Sequence, residues 1–481
     1  MAGWSEPGYR AEEEEVRTEV ARLAGFVTRA SYEDLSEDAV LQLRIRVLDA
    51  LGCAIGALGA EPVEMIRTLV RELGGNPLAT MIGGEKTAPD RAALYNSALV
   101  RYLDYNDSYL ARGETCHPSD NLGAILAACE YAGAAGSELL TALAVSYQVQ
   151  CRLSDVAPVR SKGFDHTTQG AYAVAAGAAK ALALDEARCA NAIAISGTAN
   201  NALRVTRTGR LSHWKGLAYP NTASSGLHAA LLARQGITGP AEVFEGNKGF
   251  MEAIAGRFTI DWEAEDLEAV RKTIVKKYNA EIHSQSALEG ILELRANHGF
   301  SASDIERVEL DTFDVAYNII GGGEEGDKSD VRTKEEADHS LPYMLAVALL
   351  DGEVGPGQYR PERIARRDVQ SLLRRVSVRP DPELSARFPL EMPARIRIVL
   401  TGGRTLSTEK KDYEGFFTRP MSWSQVSAKF EKLVAERCDA SLRREIIDAV
   451  AHLEDIPVRG LADLLSRARA GKKQGAASRA S

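Results

Sequence analysis

Apolar side chains recur four residues apart at Leu43, Val47, Leu51 and Ile55, the period of one face of a helix spanning residues 37–58. Gly52 and Gly56 lie beside that stripe and permit a neighbouring helix to approach closely, at a helix-propensity cost of about 1 kcal/mol each. An amphipathic segment over residues 9–29 begins with acidic side chains, which suit the positive end of a helix dipole. The same period predicts helices over 62–73, 89–102, 121–133, 137–153, 168–182, 185–199 and 216–235. Their connections are short and hold Gly, Pro or Ser, as helix-on-helix packing requires, and no repeat of solenoid period is present. After residue 271 the pattern changes. Residues 272–277, 305–313, 376–379, 395–400 and 405–411 have strand character, with Val308, Leu310 and Thr312 alternating and Gly402-Gly403 as a hairpin turn. Helical patterns at 284–297 and 340–350 are interleaved with them, and helical spacing resumes over 424–467. The expected fold is mostly α with an α+β insert. A helical domain is formed by residues 1–270 and 420–470, an α+β domain by 271–419, and 471–481 is a polar tail expected to be disordered.

Composition narrows the class. A chain of 481 residues, 45% apolar and 26% charged, has the balance of a soluble globular protein and length for two or three domains. The start, MAGWSEPGYRAEEEE, lacks the apolar core of a signal peptide. The most apolar run, 171–184, is too short to cross a bilayer and carries Lys180, so no membrane partner is expected. Six widely spaced cysteines without a C-x-x-C pair argue against zinc or an iron–sulfur cluster and for reduced thiols in a cytoplasmic protein. A net charge of −9 argues against nucleic acid. An anionic substrate would need basic residues concentrated locally.

Two segments supply candidate chemistry. Residues 101–121, RYLDYNDSYLARGETCHPSDN, hold Asp104, Asp107, Ser108, His117 and Ser119. Asp104 and Ser108 are four apart and share a face if the helix continues; Arg112-Gly113-Glu114 reads as a loop, and Ser119-Asp120-Asn121 as the cap of the next helix. A solvated connection with two caps has the same spacing. Residues 187–241 contain no Asp or Glu, where average composition would place roughly seven. They carry Arg204, Arg207, Arg210, His213 and Lys215, a cluster of one sign suited to gripping carboxylates, although a solvated basic loop would look alike. His283 and His339 stand just before helices, where capping or surface roles are commoner than catalysis.

The run LDYNDSYLARGETCHPSDNLGAILA resembles the signature of the MmgE/PrpD family, particularly its 2-methylcitrate dehydratases. GFDHTTQGAYAVAAGAAKAL, LSHWKGLAYPNTASSG, GITGPAEVFEGNKGF, YNAEIHSQSALE and ADHSLPYMLAVALLDG resemble further blocks of that family in the same order, from about residue 47 to 430. The resemblance implies a helical domain built from both chain ends, an α+β lid domain and a homodimer. It also implies action on small polycarboxylates without metal or organic cofactor: dehydration of 2-methylcitrate or citrate, decarboxylation of cis-aconitate, or epimerisation of iminodisuccinate. Asp104, Ser108, His117, His166, Lys215, His283 and Tyr343 fall on positions associated with the family's active site, and Arg204, Arg207 and Ser119 on its substrate-binding wall. Ser108 stands where Thr is commoner, and Cys116 beside His117 is not expected.

These activities share a proton moved at carbon next to a carboxylate, which requires fixed cations and a base near neutral pH. His117 or His283 would be that base, Asp104 its orienting or acid partner, and Lys215 or Tyr343 the donor to the leaving hydroxide. Metal-assisted hydrolysis is a rival, because Glu114/His117 and Glu336/His339 have E-x-x-H spacing, although no H-x-x-x-H pair occurs. A helical scaffold capturing anionic partners on its basic loop is the non-enzymatic alternative.

Overall fold

The computed structural model describes residues 17–209 and 211–469. Arg210, residues 9–16 of the first expected helix and the 471–481 tail lie outside the described residues. The fold is mostly α with a small α+β part, as the periodicity predicts. Helices Glu19–Arg29, Glu37–Gly56 and Glu186–Ala199 start where Thr18, Ser36 and Asp185 accept hydrogen bonds from backbone N–H groups of the first turn. Glu61–Leu73 and Pro89–Tyr102 start instead with proline in the first turn, where its missing N–H has no intrahelical partner to lose. A Cβ on Gly52 would stand 3.2 Å from the Phe430 ring, so its hydrogen is what lets the Trp423–Val434 helix pack across Glu37–Gly56.

Among the described residues four apolar clusters form, two of them large. The larger of the two joins side chains from Val20 to Val275 with others from Met421 to Ala468, so that late helices close onto early ones. The smaller lies within residues 280–406. It backs a four-stranded sheet in the order Val376–Pro380, Ile305–Thr312, Ala394–Leu400, Thr405–Lys410, whose first pair is parallel and the rest antiparallel. A register shift between Ile305 and Arg307 sets Val308 and Leu310 inward with Ile305, against helices Gln285–His298 and Leu341–Asp351. The other face is laced by cross-strand ion pairs such as Arg397–Glu309 and Arg395–Glu409.

Residues 272–277, expected as a strand, are not one. A 3-10 turn at Ala269–Lys272 leads into an extended passage between the cores. Its backbone exchanges two bonds between Ile274 and Ser108, at 2.8 and 2.9 Å, and gives one from Val275 to Gly415. With Ile274 and Val275 both buried and no continuous strand beside it, no ladder forms. Among the described residues no helix is long and apolar enough to cross a membrane.

Candidate active site

The helix Pro89–Tyr102 ends before Asp104, whose backbone turns left-handed at φ 51°. Asp104 and Ser108 therefore do not share a helix face, contrary to their spacing. The turn folds the Asp104 carboxylate back to 2.6 Å from the Arg101 guanidinium, and a left-handed aspartate is tolerated where such contacts fix it. Tyr109–Ala111 and Glu114–Cys116 then pair as a hairpin, not a bare loop. The hairpin sets Ser108 Oγ 3.0 Å from His117 Nδ1. Residues Pro118–Asn121 form a 3-10 turn rather than a side-chain cap: Asn121 donates to Pro118 O and Gln150 Oε1.

Asp104 gathers cations. Besides Arg101, the ammonium of Lys276 lies 2.7 Å away and that of Lys215 3.3 Å away. Burial alone would raise its pKa; the three cations overcome it and hold the carboxyl well below its usual range.

Four histidines line the same cleft, His117, His166, His283 and His339. His117 Nδ1 lies 2.8 Å from the Asp107 carbonyl, which can only accept, so the ring proton sits on Nδ1 and Nε2 keeps its lone pair. Burial, then the nearby Arg101 and Lys276 charges, push its pKa well down and keep the ring neutral. His166 precedes the helix Thr167–Ala181; neither ring nitrogen has a hydrogen-bond partner, and burial brings its pKa down to about 3. His283 differs. Its Nδ1 lies 2.7 Å from Glu281 Oε1, while its buried Nε2 has no partner. Burial would raise Glu281, yet the imidazole brings it down to about 2.

Arginines form the facing wall. Arg207 Nε donates to Asp165 at 2.6 Å, and Arg204 Nη2 and Arg160 Nη2 converge on Glu325 Oε1 at 2.6 and 3.3 Å.

Residues 21–263 match the MmgE/PrpD N-terminal domain and residues 278–455 the MmgE/PrpD C-terminal domain. The chain belongs to the MmgE/PrpD family. It is 29% identical over 386 residues to 2-methylcitrate dehydratase of Cupriavidus necator, covering 76% of this chain and 77% of that one. It is 24% identical over 462 residues to cis-aconitate decarboxylase of Mus musculus, 90% of each chain. Alkylcitrate dehydratase phiI of a fungal species is 26% identical over 473 residues, again 90% of each.

In this MmgE/PrpD chain Asp104, His117, His166, Arg204, Arg207 and His283 line one cleft. Lys215 reaches it through Asp104 and His339. Ser108 stands behind His117, and Ser119 Oγ accepts from Asn106 at 2.9 Å behind the wall. Tyr343 is elsewhere: it is buried in the smaller core, its hydroxyl donating to the Gln358 carbonyl, and it does not line the cleft. Reading the sequence alone misses Arg101, Arg160, Lys276, Glu281 and Glu325. Lys276 and Glu281 both precede His283 in one run, KKYNAEIHS, so a search around each candidate histidine for charged neighbours finds both.

The two E-x-x-H spacings serve other ends. Glu114 accepts from the Val159 and Arg160 N–H groups, and Glu336 from the Arg332 and Thr333 N–H groups. Asp104, Asp338 and His339 do bring ligand-type atoms within 4.8 Å of one another. The Lys215 ammonium reaches all three, at 3.3, 3.1 and 3.0 Å, and so takes the position a metal ion would need.

Proposed function

We propose that this chain is a hydro-lyase that removes water from a small polycarboxylate, 2-methylcitrate or a related citrate, with its own side chains as acid and base. The observation that carries the reading is a histidine, His283, backed by a carboxylate and opening its unpartnered Nε2 into a cleft walled by arginines and lysines. Such a wall binds several carboxylates and stabilises charge that grows on one of them.

His283 Nε2 takes the proton from the carbon beside the carboxylate, and Glu281 stabilises the imidazolium formed. The electron pair left behind forms the double bond and expels hydroxide from the adjacent carbon. Hydroxide takes a proton from His339, which lines the cleft and is resupplied by the Lys215 ammonium 3.0 Å away, and leaves as water. The proton on His283 then returns to Lys215 through solvent, restoring both groups. His117, kept neutral with a free lone pair at Nε2, accepts a hydrogen bond from the substrate hydroxyl and orients it. Tyr343 has no part, because its hydroxyl is committed to Gln358.

A second reading has one specific support: similarity to cis-aconitate decarboxylase of Mus musculus over 90% of both chains. Incubation with 2-methylcitrate, citrate, cis-aconitate and iminodisuccinate, followed by NMR, decides between them. Dehydration gives an unsaturated tricarboxylate with no loss of carbon dioxide; decarboxylation consumes cis-aconitate instead. If none of the four is consumed, the hydro-lyase reading is wrong.

A further inference from the structure

Arg160 and Arg204 present two guanidiniums side by side, and the anion between them belongs to the protein. Glu325 Oε1 accepts from Arg204 at 2.6 Å and from Arg160 at 3.3 Å, with its side chain only 6% exposed. Among the described residues Arg160 has no other carboxylate within ion-pair distance. The second acid near Arg204 is Asp165, at 3.8 Å, which Arg207 already holds at 2.6 Å. Burial, then the neighbouring Arg204 charge, lower the Arg160 pKa from its usual range. The pair thus requires an anion, and without Glu325 its nearest carboxylate is Asp165, which Arg207 already holds.

The segment that delivers Glu325 is held differently from the one that delivers Asp165. Asp165 stands directly before a long helix, fully buried. Glu325 lies in an irregular stretch between Tyr317–Gly321 and Lys334–Ala337, bracketed by Gly322 and Gly326 with φ of 108° and 91°, conformations that glycine adopts without strain. Nearby backbone bonds are local, from Glu325 to Asn318 and from Gly326 to Gly323. Besides a Ser340 hydroxyl donating to the Lys328 carbonyl at 2.6 Å, the ion pairs with Arg204 and Arg160 are what fasten it across the cleft.

Space points the same way. The inner cleft offers about 50 Å³, room for a few waters and far too little for a tricarboxylate. An outer cavity of about 310 Å³ adjoins it and shares Glu114, Thr115, Arg160, Arg204 and Glu325. The Glu325 side chain stands at their junction, and its withdrawal would merge them into a site of ordinary ligand size.

We propose that Glu325 is an internal occupant of a carboxylate subsite formed by Arg160 and Arg204, and that a substrate carboxylate binds by displacing it. The proposal rests on the polycarboxylate reading above. It makes Glu325 a determinant of affinity: the protein binds a polycarboxylate only to the extent that the internal carboxylate has let go.

The test is calorimetric titration of the full chain with tricarballylate, a tricarboxylate lacking the hydroxyl that dehydration needs. It is run on wild type, Glu325→Gln and Glu325→Ala, with backbone hydrogen exchange followed over residues 322–328. Both variants bind about tenfold more tightly than wild type. Ligand speeds exchange of the segment in wild type, whereas in the variants exchange is already fast and rises no further. If wild type binds and the variants bind equally or more weakly, Glu325 is a structural staple and the proposal falls while the polycarboxylate reading stands. If no form binds at millimolar concentration, both fall together.

Discussion

His117 and His283 reach the same cleft from the two sides of the molecule, and they are supported in opposite ways. The helical core gives His117 a backbone carbonyl for its Nδ1 proton, with Arg101 and Lys276 close by. A positive charge on that ring would meet two cations, so the ring is held neutral. The passage between the cores gives His283 a carboxylate, Glu281, at 2.7 Å. A positive charge there meets a partner waiting for it. Under the proposed mechanism, identical side chains thus serve as an acceptor of hydrogen bonds in one place and an acceptor of protons in the other.

The comparison breaks most readily on activity. His283→Ala lowers kcat by about 10²–10⁴, the range for losing an acid–base group. His117→Ala lowers it by about tenfold, the worth of one positioning hydrogen bond. Steady-state rates on the consumed polycarboxylate check both, and equal losses at the two positions would mean that the supports do not set the roles.

A smaller effect separates His166 from Asp120, two buried groups of the helical side. His166 titrates near 3 in the folded chain and near 6.5 when unfolded. Between those values the unfolded chain holds a proton that the folded chain does not, so stability rises with pH across roughly 3 to 6.5 and is complete above. Asp120 runs the other way. Burial raises it to about 7, so its folded form keeps a proton that the unfolded form releases, and stability falls as pH rises from about 4 to 7. His166→Gln should therefore remove the rising contribution and leave the Asp120 slope uncompensated, so that thermal stability falls more steeply with rising pH over roughly pH 4–6.5 than in wild type. Melting temperatures measured at intervals across that window check it; a variant with the same pH slope as wild type would contradict the assignment.

The fold was largely legible because both cores are built on regular periods. The stripe at Leu43, Val47, Leu51 and Ile55 and the alternation through Val308 and Leu310 are buried where those periods place them. The site was legible in its residue types and less so in its geometry. Asp104 and Ser108 carry helical spacing, yet the Arg101–Asp104 ion pair turns the chain at that point, and Ser108 meets His117 through hairpin register instead. Periodicity cannot reveal an ion pair that overrides it. Lys276 and Glu281 were hidden for a related reason: buried charges resemble surface charges until their partners, Asp104 and His283, are located in space.

Ser119 and Tyr343 mark the limit of transferring a role by position. Ser119 Oγ receives the Asn106 amide, and Tyr343 gives its hydroxyl proton to the Gln358 carbonyl inside the smaller core. Tyr343→Phe keeps the ring and its packing against Tyr359 but leaves that carbonyl without a donor, at a cost of about 1–3 kcal/mol. Chemical denaturation should register the loss while kcat stays unchanged, since the phenol does not line the cleft. A leaving-group donor would behave oppositely, with stability nearly intact and kcat down by about 10² or more. The ratio of the two effects, rather than either alone, tells a core hydroxyl from a catalytic one.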